Sequence, residues 1–218
     1  MTKHLVISFH TFAINIKLSI METAPGTATL RLTKFDVAER QLLQSIRMFF
    51  AEEDEVSIHT LSEAAAQVLH DIGKKENVTS ILRDSSRIRP ERKAEWLAIV
   101  FSSRNFFKHA DRDKDQIHDF KSTFNDFSLL DAVNMYATLK KRWTPETFMF
   151  MLWFGLAHPQ LVQENSDFPE ILERIQINYK SARPDNKKFF AEIIDALRED
   201  GTSAPNFSLS YGAPEKDA

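Results

Sequence analysis

The chain has 218 residues, 43% hydrophobic and 27% charged, a balance that excludes wholesale disorder and a fibrous repeat and suits one generous domain. Its net charge of −3 gives no global attraction to a polyanion, so a nucleic-acid contact has to come from a local patch. There is no cysteine, which excludes a disulfide framework, a thiolate metal site and a cysteine nucleophile, and fits a reducing, cytoplasmic setting.

Leu5 to Ile20 is apolar, but His10, Asn15 and Lys17 interrupt it and no small-residue cleavage site follows. Neither a signal peptide nor a membrane anchor fits, because a spanning helix needs about 20 largely apolar residues. Phe12, Ile14, Ile16, Leu18 and Ile20 alternate with period two, as a short N-terminal strand would; equally, the segment reads as an extension upstream of a start at Met21. Residues 1–34 are therefore an N-terminal extension or linker, with Thr23 to Thr33 rich in turn formers.

Thr33 and Asp36 make a capping pair, and Phe35, Ala38, Leu42, Ile46 and Phe49 then recur at helical spacing to about Ala51. The acidic turn Glu52 to Glu55 ends that helix. Ile58, Leu61, Ala65, Val68 and Ile72 define the next, with Gly73 in the place of a C-cap, and the short connection predicts an antiparallel hairpin. A shorter helical stretch is expected around Val78 to Arg83. Pro90 then opens a third long helix through Trp96, Leu97, Val100 and Phe101 towards His109.

A fourth helix is expected over Phe127 to Lys141 and a fifth from Thr144-Pro145, whose stretch Phe148 to Ala157 is apolar on every side. Such a helix is either central in a core or buried at a subunit contact. Helices near Phe168 to Lys180 and Lys187 to Glu199 follow, and residues 201–218 read as a disordered tail. The expected fold is all-α: an up-and-down bundle of about four to five core helices with additional C-terminal helices, over residues 35–200. Its core should hold most of the 18 phenylalanines, including the pairs Phe49-Phe50, Phe106-Phe107 and Phe189-Phe190.

The five glycines are not clustered, which argues against Walker-type and Rossmann-type phosphate loops. Among the histidines, His59 and His70 stand eleven residues apart on one helix. That is about 16 Å of rise, too far for one metal ion with ligands near 2 Å, so both read as polar-face or capping residues. Asp111, Asp113 and Asp115 open like a calcium loop, but Gln116 and Ser122 stand where its glycine and glutamate belong. Arg83, Arg87, Arg89, Arg92 and Lys93 form the one dense basic run, suited to phosphates or to a solvated helix start.

The remaining candidate is Arg104-Asn105-Phe106-Phe107-Lys108-His109. On a continuous helix Arg104 falls between Leu97, Val100, Phe101 and Phe107, in the middle of the apolar arc, where a permanent charge needs a carboxylate, a phosphate or a cleft. His109 lies about 140° further round at 100° per residue, so the two converge only if the helix end loosens or a second copy completes the site. Arg112 and His118 form another arginine–histidine pair shortly after.

R-N-F-F-K-H resembles the arginine, polar residue, spacer, histidine motif of the HEPN domain family, all-helical domains that include dimeric, metal-independent endoribonucleases and non-catalytic binding modules. The resemblance covers about half the chain, with residues 35–140 as the HEPN-like core. It implies Arg104, Asn105 and His109 as catalytic residues, and no cofactor. It further implies RNA as substrate, a homodimer, and a protein partner such as an antitoxin in a toxin or defence system. Arg87, Arg89, Arg92, Lys93 and Lys108 would then hold RNA phosphates. Phe35 to Ile72 also looks like an uncharacterised bacterial helical family. Two other readings fit the same residues. One is a non-catalytic interaction module, with Arg104 in a buried salt bridge, His109 capping its helix and the apolar fifth helix carrying the partner contact. The other is a small-ligand-binding bundle with a phenylalanine-lined pocket.

Overall fold

Thr33 starts the fold as a reciprocal cap: its hydroxyl accepts from the Asp36 N–H at 3.1 Å, and the Asp36 carboxylate accepts from the Thr33 N–H at 2.8 Å. This satisfies two donors left open at a helix start. A computed structural model of the chain describes residues 29–84, 88–111, 114–162 and 167–201. Among these residues there are eight α-helices and no strand. The N-terminal strand expected over residues 12–20 lies outside the described residues, as does the tail beyond residue 201.

Helix α1 (Lys34–Phe50) buries Ala38, Leu42, Ile46 and Phe49 of the expected stripe, adds Phe50, and leaves Phe35 half-buried against the core. The acidic turn both ends it and starts α2 (Glu55–Gly73), because Asp54 accepts the Ser57 N–H at 2.7 Å. The two helices pack as the expected hairpin, and α2 packs in turn on α5 (Phe124–Lys140). Gly73 departs from expectation. It is the last helical residue, at an ordinary φ of −67°, and the left-handed residue that turns the chain is Asn77 at φ 56°. Glycine is needed at 73 for space, since a Cβ there would stand 2.7 Å from Val78 Cβ.

Two further expectations are corrected. Residues 78–84 form a turn rather than a helix, because the Asp131 carboxylate from α5 takes the N–H groups of Ile81 and Leu82, and the side chains of Asp84 and Ser80 take those of Ser80 and Arg83, in place of the carbonyls of a helical ladder. The long third helix is also two pieces, α3 (Lys93–Val100), led by a 3-10 turn at Pro90–Arg92, and α4 (Ser102–Lys108). The break falls at Phe101, whose φ of −96° and ψ of 1° lie outside the helical range.

Helix α6 (Pro145–Ala157) starts at a Thr144–Thr147 capping box and is the one expected to be apolar all round. It is central in the core. Met149, Phe150, Met151, Leu152, Trp153, Phe154 and Gly155 are all buried within the chain. Phe49 meets Trp153 edge-on with ring centres 4.7 Å apart, and Phe50 stacks on Phe190 of α8 (Lys187–Glu199) at 5.4 Å. Phe168 and Leu172 of α7 (Phe168–Asn178) close over Gly155, so the faces that a partner contact would have used are covered by this chain's own helices. None of the helices described is long and apolar enough to cross a membrane.

Gly73→Ala should destabilise the fold by about 1–3 kcal/mol through overpacking against Val78, read from the urea midpoint. An unchanged midpoint would show that the 74–78 segment yields freely.

Candidate functional site

The charged centre of the described residues is built on Arg83. Its side chain is 5% exposed, and its guanidinium donates to Asp131 of α5 at 2.6 Å and to Glu63 of α2 at 3.1 Å. Asp131 is fully buried. It also accepts the Ser80 hydroxyl at 2.7 Å, the Ile81 N–H at 2.6 Å and the Leu82 N–H at 3.4 Å. Burial pushes the Asp131 carboxyl pKa up, while Arg83, Ser80 and the two backbone donors pull it back. Arg83 therefore does not belong to the basic run in which its sequence neighbours place it. Its charge is consumed inside the fold.

Arg104 is the neighbouring cation. Its guanidinium carbon lies 4.2 Å from the centre of the Phe101 ring, the same ring that Arg83 approaches at 5.1 Å. Among the described residues its one hydrogen bond goes to the amide oxygen of Gln67 at 2.9 Å, and no carboxylate stands within ion-pair distance. Burial lowers its pKa; Glu63 opposes that shift and the Arg83 cation adds to it. Arg104 is thus a half-buried charge held by neutral groups, and the buried salt bridge expected on the interaction-module reading belongs to Arg83.

Around these cations lie two histidines, His59, expected on a polar face or at a cap, and His118, expected only as the partner of Arg112. His59 is fully buried, with Nδ1 3.1 Å from Asn125 Oδ1 and its ring against Phe107 and Phe120. It is neither a polar-face nor a capping residue. His118 bonds through Nε2 to Ser103 Oγ at 2.7 Å and stacks on Phe106 with centres 5.0 Å apart. Burial lowers the His59 pKa; Glu63 and Asn125 oppose this, while the charges of His118 and Arg104 add to it, so both groups are neighbours of the same ring. His70, the other histidine of α2, bonds Asp84 at 2.9 Å and ties that helix to the 80–84 turn.

The predicted site residues are distributed unevenly. Arg104 is half-buried on α4, whereas Asn105, Lys108 and His109 are exposed. His109 occupies the C-cap of α4 in extended conformation, its N–H donating to the Asn105 carbonyl at 3.1 Å. Burial and the nearby Arg104 cation both lower the Lys108 pKa. Arg89 and Arg92 are exposed, and Arg92 is already paired with Glu95 at 2.9 Å. Lys93 lies close enough to Asp84 to lower its pKa, and Arg87 lies outside the described residues. Within the described residues no group of three or more His, Asp or Glu could hold a metal ion. Sequence reasoning missed Glu63, Ser80, Asp131 and Ser103, and named His118 only as the partner of Arg112. The available signal was Asp131, a lone acid among Leu129, Leu130, Ala132 and Val133. No family model, curated protein or solved structure matches the chain.

The contrast between the two arginines is measurable. Arg83→Ala strands two buried carboxylates and should cost about 3–5 kcal/mol, whereas Arg104→Ala should cost less than about 1 kcal/mol. Similar losses in chemical denaturation would contradict this division of roles. His59 gives a pH dependence. Its folded pKa lies below the ordinary 6.5, so the unfolded chain takes the proton first, and stability that is full above 6.5 is lost as pH falls below it. The urea midpoint should fall between about pH 7.5 and about pH 5.5, and fall less in His59→Gln. Identical pH slopes in the two proteins would remove His59 as the cause.

Proposed function

We propose that the chain is a HEPN-like RNA-binding or RNA-cleaving protein in which Arg104 holds a phosphate. The observation that carries this reading is the state of the Arg104 guanidinium: partly desolvated, fixed by Gln67 and Phe101, and in direct ion-pair contact with no carboxylate among the described residues, Glu63 acting on it only at longer range. A desolvated guanidinium with spare donors favours a planar or tetrahedral oxyanion, and its bidentate fork matches two phosphate oxygens. Lys108 stands in the field of Arg104 and adds a second positive charge to the same surface. RNA is the polyphosphate that the motif resemblance names.

On this reading the 2′-hydroxyl of RNA attacks the adjacent phosphorus, Arg104 stabilises the charge that grows on the phosphoryl oxygens, and a histidine transfers the proton. The resemblance assigns that last role to His109, with Asn105 orienting the phosphate. It also supplies the homodimer and the antitoxin-like partner as further proposals. The interaction-module reading differs in having no cleavage, so one assay separates the two.

Purified protein incubated with a mixed-sequence RNA in excess chelator should cleave it, and Arg104→Ala should lower the rate by about 100- to 1,000-fold while the far-ultraviolet spectrum is kept. RNA binding without cleavage that weakens in Arg104→Ala would leave the binding form of the proposal. Neither binding nor cleavage in the parent would dismiss it.

A further inference from the structure

We infer that His118, rather than His109, is the proton-transfer residue that works beside Arg104. The inference rests on the RNA reading above and adds to it the identity of the general base.

Metal-free cleavage of RNA requires the phosphate-holding cation and the base to flank one phosphate in a fixed geometry. His109 lacks a fixed geometry. Helix α4 ends at Lys108, His109 continues in extended conformation, and its exposed side chain makes no hydrogen bond among the described residues. Among the described residues no hydrogen bond, ion pair or ring contact holds its ring.

His118 is held on three sides. Its Nε2 meets Ser103 Oγ at 2.7 Å, and Ser103 is the residue before Arg104 on the same short helix. Phe106 stacks on the ring at an angle of 25°, and Phe107 meets its edge with centres 6.2 Å apart. The ring is therefore fastened to α4 itself, although it comes from the loop that follows. Arg104 is fastened to the same region through Phe101 and Gln67. His118 is half-buried rather than enclosed, which leaves it reachable by a ligand.

The hydrogen bond admits the tautomer suited to the role, since the Ser103 hydroxyl can accept from an imidazole N–H as well as donate to a bare ring nitrogen. With the proton on Nε2 donated to Ser103 Oγ, Nδ1 keeps its lone pair, and no hydrogen bond among the described residues engages that nitrogen. Nδ1 takes the proton of the 2′-hydroxyl as that oxygen bonds to phosphorus. The bond from phosphorus to the 5′ oxygen breaks, and a 2′,3′-cyclic phosphate remains on one fragment. The departing 5′ oxygen takes a proton from water, and His118 later returns its own to solvent, so the reaction consumes no co-reactant.

The experiment compares the parent with His109→Ala, His118→Ala and His118→Asn on one RNA oligonucleotide in chelator. Thermal melts monitor folding. Both His118 variants should lose about 100-fold or more, a larger loss than in His109→Ala. Added imidazole should restore part of the lost rate in His118→Ala and none in Arg104→Ala. The asparagine can still meet the Ser103 hydroxyl, so parent-like activity in His118→Asn would show that the ring only fastens the loop and would overturn the inference. Loss confined to His109→Ala would overturn it while leaving the RNA reading intact. A parent that does not cleave overturns the inference together with the enzymatic form of the reading.

Discussion

Arg83 reaches the middle of the bundle from a turn, and the rest of the site is placed by what it meets there. One arm of its guanidinium goes to Asp131 on α5 and the other to Glu63 on α2, so a single planar group spans the two most central helices on that side. Asp131 then accepts the backbone of residues 81 and 82, which gives buried N–H groups of a non-helical segment their partners. Such a network adds little net stability over an apolar core, because each charge has been stripped of water. Its value lies in allowing one arrangement, since an orphaned member is costly.

The following elements are hung from this turn. Trp96 of α3 donates its indole N–H to the Leu82 carbonyl at 2.7 Å, and Phe101, at the break between α3 and α4, lies against Arg83. That same ring receives Arg104. The two arginines share one aromatic surface and opposite fates: the first has given both arms to carboxylates, and the second, among the described residues, is held by a neutral amide and a ring. A protein that needed only a folded core would gain nothing from the second charge, whose desolvation opposes folding. The functional reading grows from that asymmetry.

The sequence made the helices legible wherever one face repeats at 3.6 residues and the ends carry caps. The Thr33–Asp36 and Thr144-Pro145 starts, the hairpin of α1 and α2 and the Lys187–Glu199 helix fall where the pattern puts them. It was less informative wherever a side chain from a distant helix replaces a local hydrogen bond. Residues 78–83 have helical spacing, yet the carboxylate of Asp131, about fifty positions away, takes the donors of Ile81 and Leu82. Gly73 has the composition of a cap and the φ of an ordinary helical residue, because its role is to admit Val78. The helical wheel marks Arg104 as a misplaced charge, but local spacing carries no sign that Arg83, five residues beyond the start of an apparent short helix, is the more deeply buried one.

What the sequence determined by itself is therefore the all-α class, the central place open to the apolar sixth helix, and the presence of a charge at odds with its surroundings at Arg104. These follow from periodicity and from the cost of burying polar groups, which act over a few residues. Only the tertiary structure decided which arginine is neutralised and which is left with donors to spare, and only it brought His59, Ser103 and His118 to the same place. Those outcomes depend on pairs 15 to 66 residues apart, Ser103 with His118 and His59 with Asn125 among them, and distance along the chain carries no information about which of many polar groups will meet.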